Sequence, residues 1–272
     1  MADGDLRVVL VHGLGVDHRM WNLQLPVLQE LGPVFAPDLP GFGAEPPLPP
    51  AQRGVAAYAR WLWDRIDAHW GPGPVAILGY SMGGTVALVA ALERPERVAG
   101  LGLCCTSARW GRGLRRWAAL AFAGLGGRLA MEVFQASVRW AFSRHQGPDW
   151  ARPVVEDMVR RAHRPTMRRL YIDLARTNLE PRLPELGMPA LVVAGGRDWL
   201  APPSHARRMA RRLPRAALRI LPGADHILCL GRAQEFAAIL AEFVRSLRAS
   251  GPGPHARAAR PAPQGDGSVS GA

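Results

Sequence analysis

A length of 272 residues, 48% of them hydrophobic, with a mean hydropathy of -0.03, suits one large α/β domain with a substantial core. No apolar run reaches the ~20 residues of a membrane helix, and MADGDLRVVLVHG lacks the basic-then-apolar order of a secretion signal, so a cytoplasmic location is expected. The formal charge of +12 comes entirely from Arg, with no Lys. That bias reads as genome composition, and without a zinc finger, RNA-recognition motif or basic zipper it does not make nucleic acid the expected partner.

Leu6 to Val11 is an apolar run broken only by Arg7, the pattern of a strand buried in a parallel sheet. Trp21 to Leu31 has near-helical apolar spacing and stops at Gly32-Pro33. Val34 to Ala36 is strand-like and leads into the turn-rich Asp38-Leu39-Pro40-Gly41-Phe42-Gly43. An amphipathic helix is predicted over Val55 to Trp70, a buried strand over Val75 to Leu78, an apolar helix over Thr85 to Leu92, and a strand over Val98 to Leu103. This alternation predicts a mostly parallel sheet with helices on both faces.

From 108 to 183 the character changes to aromatic and Arg-rich helical stretches with no strand run, which reads as a helical lid inserted into a core formed by 1–107 and 184–248. The alternation resumes with strands at Ala190 to Ala194 and Ala217 to Leu221 and helices at Ser204 to Leu213 and Ala233 to Leu247. The Pro-, Gly-, Ala- and Ser-rich tail, 249–272, has too little apolar surface to order itself and is expected to be disordered.

Between the third strand and its helix lies Gly79-Tyr80-Ser81-Met82-Gly83, a G-x-S-x-G match. A turn that lifts a serine out of a strand and into a helix is tight, so small residues must flank it. It also puts the serine at a helix N-terminus, where partial positive charge favours an oxyanion. A serine hydroxyl needs a base to take its proton. His226 sits in the loop between the last strand and the closing helix, and Asp198 directly follows the preceding strand. Serine, carboxylate and histidine then meet at one sheet edge, with Asp198 orienting the base. The backbone amides of Met82 and Leu14 are the expected oxyanion donors.

Other chemistry-bearing residues take plainer readings. His12 braces the loop after the first strand, Asp38 bonds backbone amides in a Pro-Gly turn, and Asp225 adjoins His226 without facing it. Cys104, Cys105 and Cys229 lie in apolar surroundings without metal-ligand spacing, so neither a disulfide framework nor a structural metal is expected, and no cofactor is called for. Tyr80 and Met82 flank the nucleophile and are expected at the substrate. Trp110 and Trp199 are expected in the pocket. Trp21 reads as packing for the first helix, with the pocket wall as the other reading. Trp110, Trp117, Phe122, Phe134, Trp140 and Phe142 serve equally as lid core or as the wall of an acyl pocket.

HGLG, DLPGFG, GYSMGG, ERPERVAGLGL, GGRDWLAPP and GADH, in this order and at these spacings, resemble the α/β-hydrolase superfamily from about Leu6 to Leu247. Within it the chain looks most like carboxylesterases of the pimeloyl-acyl-carrier-protein methyl ester type, and LCCTSARWG is similar to the matching stretch of oxoadipate enol-lactonases. Only five residues precede Leu6, so the N-terminal β-hairpin usual in the family is expected to be missing or short. Serine, rather than the aspartate of haloalkane dehalogenases and epoxide hydrolases, turns the expectation from those chemistries toward ester hydrolysis through an acyl-enzyme.

The resemblance leaves three alternatives open: a lactonase or carbon-carbon bond hydrolase, a thioesterase or acyltransferase, and a non-hydrolytic tailoring or ligand-binding protein. The expected partner is a small-molecule ester. The 15 Arg between Arg109 and Arg182, set against six acidic residues, read either as solvated helix faces or as a dock for an acidic acyl carrier protein.

Overall fold

The computed structural model describes residues 6–110, 127–145 and 148–250. The short apolar runs form strands β1 (Arg7–Val11), β2 (Val34–Phe35), β3 (Val75–Tyr80), β4 (Val98–Cys104), β5 (Ala190–Gly195) and β6 (Ala216–Leu221). They make one parallel sheet in the order β2-β1-β3-β4-β5-β6. The chain runs from β1 outward to β2 and then returns to place β3 on the other side of β1. That reversal leaves a crevice at the carboxyl ends of β1 and β3, where open α/β sheets hold their sites.

Alternation along each strand splits the core in two. Val9, Val11, Ile77 and Val192 face one way, onto α2 (Gly54–Trp70), α3 (Met82–Glu93) and α7 (Pro203–Arg212). Val8, Leu10, Leu78 and Val193 face the other way, onto α1 (Leu25–Gln29) and α8 (Ala233–Ala249) through Leu28, Phe236 and Leu240. Both faces are therefore covered, which is why β1, β3 and β5 read as continuous apolar runs.

Two boundaries differ from the sequence reading for local reasons. Trp21 to Leu31 is not one helix: a 3-10 turn at His18–Trp21 is followed by the five-residue α1. Pro26 brings no N–H, so it is accommodated in the first turn of a helix and not inside one. In the other case α3 starts at Met82, three residues before the predicted Thr85, because Gly83 and Gly84 form its first turn.

The connection between β4 and β5 holds α4 (Gly127–Ser143), α5 (Ala151–Arg161) and α6 (Arg164–Arg176). Gln135 on α4 donates to the Val159 carbonyl at 2.8 Å and accepts from Arg164 at 3.0 Å, knitting the three helices together. Arg19 ties them to the core by reaching from Asp17 to Asp157 on α5, at 2.7 and 2.9 Å. Trp117, Phe122 and the tail from 251 lie outside the described residues. Among the described residues no helix is long and apolar enough to cross a membrane.

α3 approaches the end of β1 closely, backbone against backbone. A Cβ on Gly83 would stand 2.3 Å from the Val11 carbonyl oxygen, and one on Gly79 would stand 2.3 Å from the Gly83 oxygen. Backbone on both sides leaves nothing to yield. Gly83→Ala is expected to cost about 3 kcal/mol or more, seen as a thermal midpoint lower by roughly 6–12 °C; an unshifted midpoint would show that the approach is looser than this.

Candidate active site

Ser81 follows β3 with φ 53° and ψ -118°, a left-handed conformation that a non-glycine residue adopts only where its surroundings impose it. Its N–H donates to the Cys104 carbonyl at 2.8 Å, and its own carbonyl accepts from the Gly84 amide at 3.0 Å and the Thr106 hydroxyl at 2.6 Å. Thr106, which no motif singles out, therefore clamps the turn from the neighbouring strand end.

His226 Nε2 stands 3.1 Å from Ser81 Oγ, and Nδ1 stands 2.7 Å from Asp198 Oδ2. A carboxylate only accepts, so Nδ1 carries the proton and Nε2 presents a lone pair to the serine. Asp198 is held in turn: its Oδ1 accepts from the Leu200 and Ala201 amides at 2.9 and 2.8 Å, and its side chain is fully buried. Asp225 turns away, bonding His145 at 3.0 Å and the Ile227 amide at 2.9 Å.

Tyr80 holds the histidine loop. Its hydroxyl donates to the His226 carbonyl and accepts from the Leu228 amide at 2.9 Å. Burial pushes the phenol well above its ordinary range, which keeps it a neutral donor. Tyr80 borders the cavity, yet it is almost wholly buried and its polar atom is used inside the protein.

His12 is sealed in the interior. Its Nδ1–H donates to the Gly13 carbonyl at 2.8 Å, and Nε2 accepts from the Leu39 amide at 2.8 Å. Desolvation lowers its pKa, so the neutral ring joins the β1 loop to the Asp38 loop. Asp38 itself accepts from the Ala44 amide at 3.1 Å and the His18 amide at 2.9 Å, and from His18 Nδ1 at 2.6 Å. Leu14 borders the cavity beside Ser81. Met82 is the first residue of α3, where a helix amide has no carbonyl of its own turn to bond.

These groups open into a cavity of about 1030 Å³ bounded by the core loops and by α4 and α6. Phe134, Trp140 and Phe142 from α4, Trp110, Met82 and Leu14 give it apolar walls, and Trp199 stands at its border, 66% exposed. Trp110 also donates from Nε1 to the Thr85 hydroxyl at 2.8 Å. Trp21, placed among the candidate pocket residues, is instead fully buried behind Tyr80, edge-on to it at 5.9 Å and stacked on Phe236 at 6.1 Å. Its 3-10 turn directs the indole into the second core, not toward Ser81. Sequence reasoning missed Arg144, Arg197 and Arg208 on the cavity wall, for in a chain this rich in Arg nothing distinguishes them.

Among the described residues two groups bring three ligand-type atoms within 4.8 Å of one another: Cys105, Asp198 and His226, and Asp17, His18 and Asp38. In the first, burial holds the Cys105 thiol protonated, and the other two bond each other. In the second, Asp17 is taken by Arg19 and Asp38 by His18. Both groups are thus internally satisfied.

A sequence profile described as the alpha/beta hydrolase fold matches residues 7–233. The chain belongs to the α/β-hydrolase family. It is 30% identical over 251 residues to a pimeloyl-[acyl-carrier protein] methyl ester esterase of Neisseria meningitidis, covering 90% of this chain and 95% of that one. A thermophilic esterase from Thermogutta terrifontis superposes with a TM-score of 0.78 at 28% identity, over 89% of this α/β-hydrolase and 90% of the esterase. An enol-lactonase from Burkholderia xenovorans shares the fold, with a TM-score of 0.76 at 22% identity over 88% and 91% of the two chains.

The Asp38–His18 pair makes the Asp38 loop of this hydrolase pH-sensitive. His18 and two amides hold the Asp38 carboxyl down at about 2, below its ordinary 3.8, against the opposing effect of burial. A depressed carboxyl contributes stability above its unfolded pKa and loses it as pH falls through the folded one. Asp38→Asn is therefore expected to lower the urea midpoint at neutral pH, with the gap to wild type shrinking between pH 4 and pH 2. A gap that does not change with pH would mean that ionised Asp38 adds nothing.

Proposed function

We propose that this hydrolase cleaves a carboxylic ester through a covalent acyl-enzyme on Ser81. The observation that carries the reading is the unbroken hydrogen-bond line from Asp198 through His226 to Ser81, ending at the wall of a large, mostly apolar cavity. His226 Nε2 takes the hydroxyl proton as Ser81 Oγ bonds to the ester carbonyl carbon. The amides of Leu14 and Met82 supply donors to the oxygen as it becomes negative. As the carbon–oxygen bond breaks, the imidazolium returns its proton to the leaving alcohol. Asp198 stabilises that imidazolium and keeps Nδ1–H pointed at itself. Water then attacks the acyl-serine with His226 again as base, releasing the acid and restoring Ser81.

The esterases among the relatives support an ester in preference to the lactone or thioester the same machinery could open, and the helices α4 to α6 fit the part of a lid. Ser81→Ala is expected to cut p-nitrophenol release from p-nitrophenyl esters by about 10⁴-fold or more while the protein stays folded. Quenched wild type should carry the acyl mass on the peptide containing Ser81. Turnover that survives the substitution would sink the serine mechanism.

A carrier-bound ester is supported by a specific observation besides the relatives' names. The lid carries strongly exposed Arg152, Arg160, Arg161 and Arg164, paired with only three carboxylates, Glu132, Glu156 and Asp157. Such a face favours an acidic partner. Replacing Arg160, Arg161, Arg168 and Arg169 with Glu is expected to lower kcat/KM for a carrier-bound methyl ester by about tenfold or more at low salt and to leave a free ester unaffected. Equal losses on both substrates, or none, would remove the carrier.

A further inference from the structure

The loop that carries His226 is held from two sides. From the core, Tyr80 bonds the His226 carbonyl and the Leu228 amide. From outside, the hold is the Asp225 carboxylate, which the line from Asp198 to Ser81 does not use. Its Oδ1 accepts from the Ile227 amide at 2.9 Å and so closes a turn across His226. Its Oδ2 stands 3.0 Å from His145 Nε2. A carboxylate only accepts, so Nε2 carries the proton they share.

His145 reaches this turn from another part of the molecule. It lies two residues past α4, and its amide extends that helix by donating to the Phe142 carbonyl at 3.1 Å. Its side chain is mostly covered, 18% exposed against 36% for Asp225. The ring is also wedged in place, since a Cβ on Gly231 would stand 2.5 Å from Nδ1. The helix whose side chains wall the cavity is therefore fastened to the loop that carries His226.

His226 has two distances to satisfy at once, 3.1 Å to Ser81 Oγ and 2.7 Å to Asp198 Oδ2. A small shift of the turn lengthens one of them, and a misplacement of about 1 Å can cost on the order of 10²-fold in rate. Tyr80 fixes the backbone at His226 and beyond it, while Asp225, the residue before, takes its side-chain hold from His145.

We propose that His145 is a positioning residue: through Asp225 it holds the turn around His226 so that the imidazole keeps both of its bonds. This rests on the reading of His226 as the base for Ser81. His145 itself stands outside the cavity wall, so its loss leaves substrate binding alone and falls on kcat.

The test is kcat and KM for p-nitrophenyl butyrate. His145→Ala is expected to lower kcat by about three- to tenfold with KM unchanged. His145→Gln, which can still donate to Asp225, should recover most of that loss. Gly231→Ala pushes the ring off Asp225 without altering either partner, so it should lower kcat in wild type and take nothing further from His145→Ala. An unchanged kcat in His145→Ala, a change confined to KM, a Gln variant as slow as the Ala variant, or a further loss from Gly231→Ala overturns the positioning role and leaves the ester-hydrolase reading standing.

A second measurement needs no turnover. The Nδ1 proton of His226, held against Asp198, gives a low-field proton resonance that His226→Ala removes, and faster exchange should broaden it in His145→Ala. The same resonance in both proteins, or none in either, overturns the proposal. If wild type hydrolyses no ester and the resonance still broadens in His145→Ala, the positioning stands and the ester reading falls.

Discussion

A serine hydroxyl can meet His226 here only because the backbone at Ser81 is held at φ 53°, a conformation that costs of order 1–3 kcal/mol for a residue with a side chain. Three hydrogen bonds to the Ser81 backbone and the contact of Gly83 with the end of β1 sustain it. The same contact bears on the oxyanion donors proposed above. Gly13 and Leu14 continue directly from the strand end against which Gly83 packs, so Ser81 and the Leu14 amide share one close backbone approach. If the two backbones moved apart, strain at Ser81 would relax and the Leu14 amide would move with it.

The histidine depends on this turn through a second route. Tyr80, one residue before the serine, holds the His226 carbonyl and the Leu228 amide with one hydroxyl. Its ring is fixed between Trp21 and Phe236. Ser81 and His226 are thus positioned by adjacent residues of a single strand end. The core behind Tyr80, including the buried Trp21, serves the geometry of the Ser81–His226 contact without bordering the cavity itself.

The strands and the serine turn were legible because their constraints are local. Apolar runs follow from burial on both sheet faces, and Gly79 and Gly83 follow from sterics that a five-residue pattern records. Ser81, Asp198 and His226 could be chosen because each follows a strand end in a parallel sheet, and the fold brings all three within hydrogen-bond reach. What escaped depends on contacts between distant segments. The direction of Trp21 is set by the short turn that Pro26 forces. Thr106 matters only because β4 ends beside Ser81. Tyr80 was expected at the substrate, and its hydroxyl instead finds a backbone loop nearly 150 residues away. Arg144, Arg197 and Arg208 on the cavity wall were invisible among 34 arginines, since only tertiary packing sets them there.

The two halves of the site therefore answer to different physics. The chemical half is made of backbone amides and short, strained turns, and it would serve any acyl substrate that reached it. The selective half is made of side chains on α4, α6 and α7, held over the sheet edge by tertiary packing. Apolar contacts from those side chains to parts of a substrate remote from the reacting carbonyl are nearly equal in the bound ground state and the transition state. Their effect belongs in KM and in discrimination between substrates, with kcat left to the groups proposed to do the chemistry.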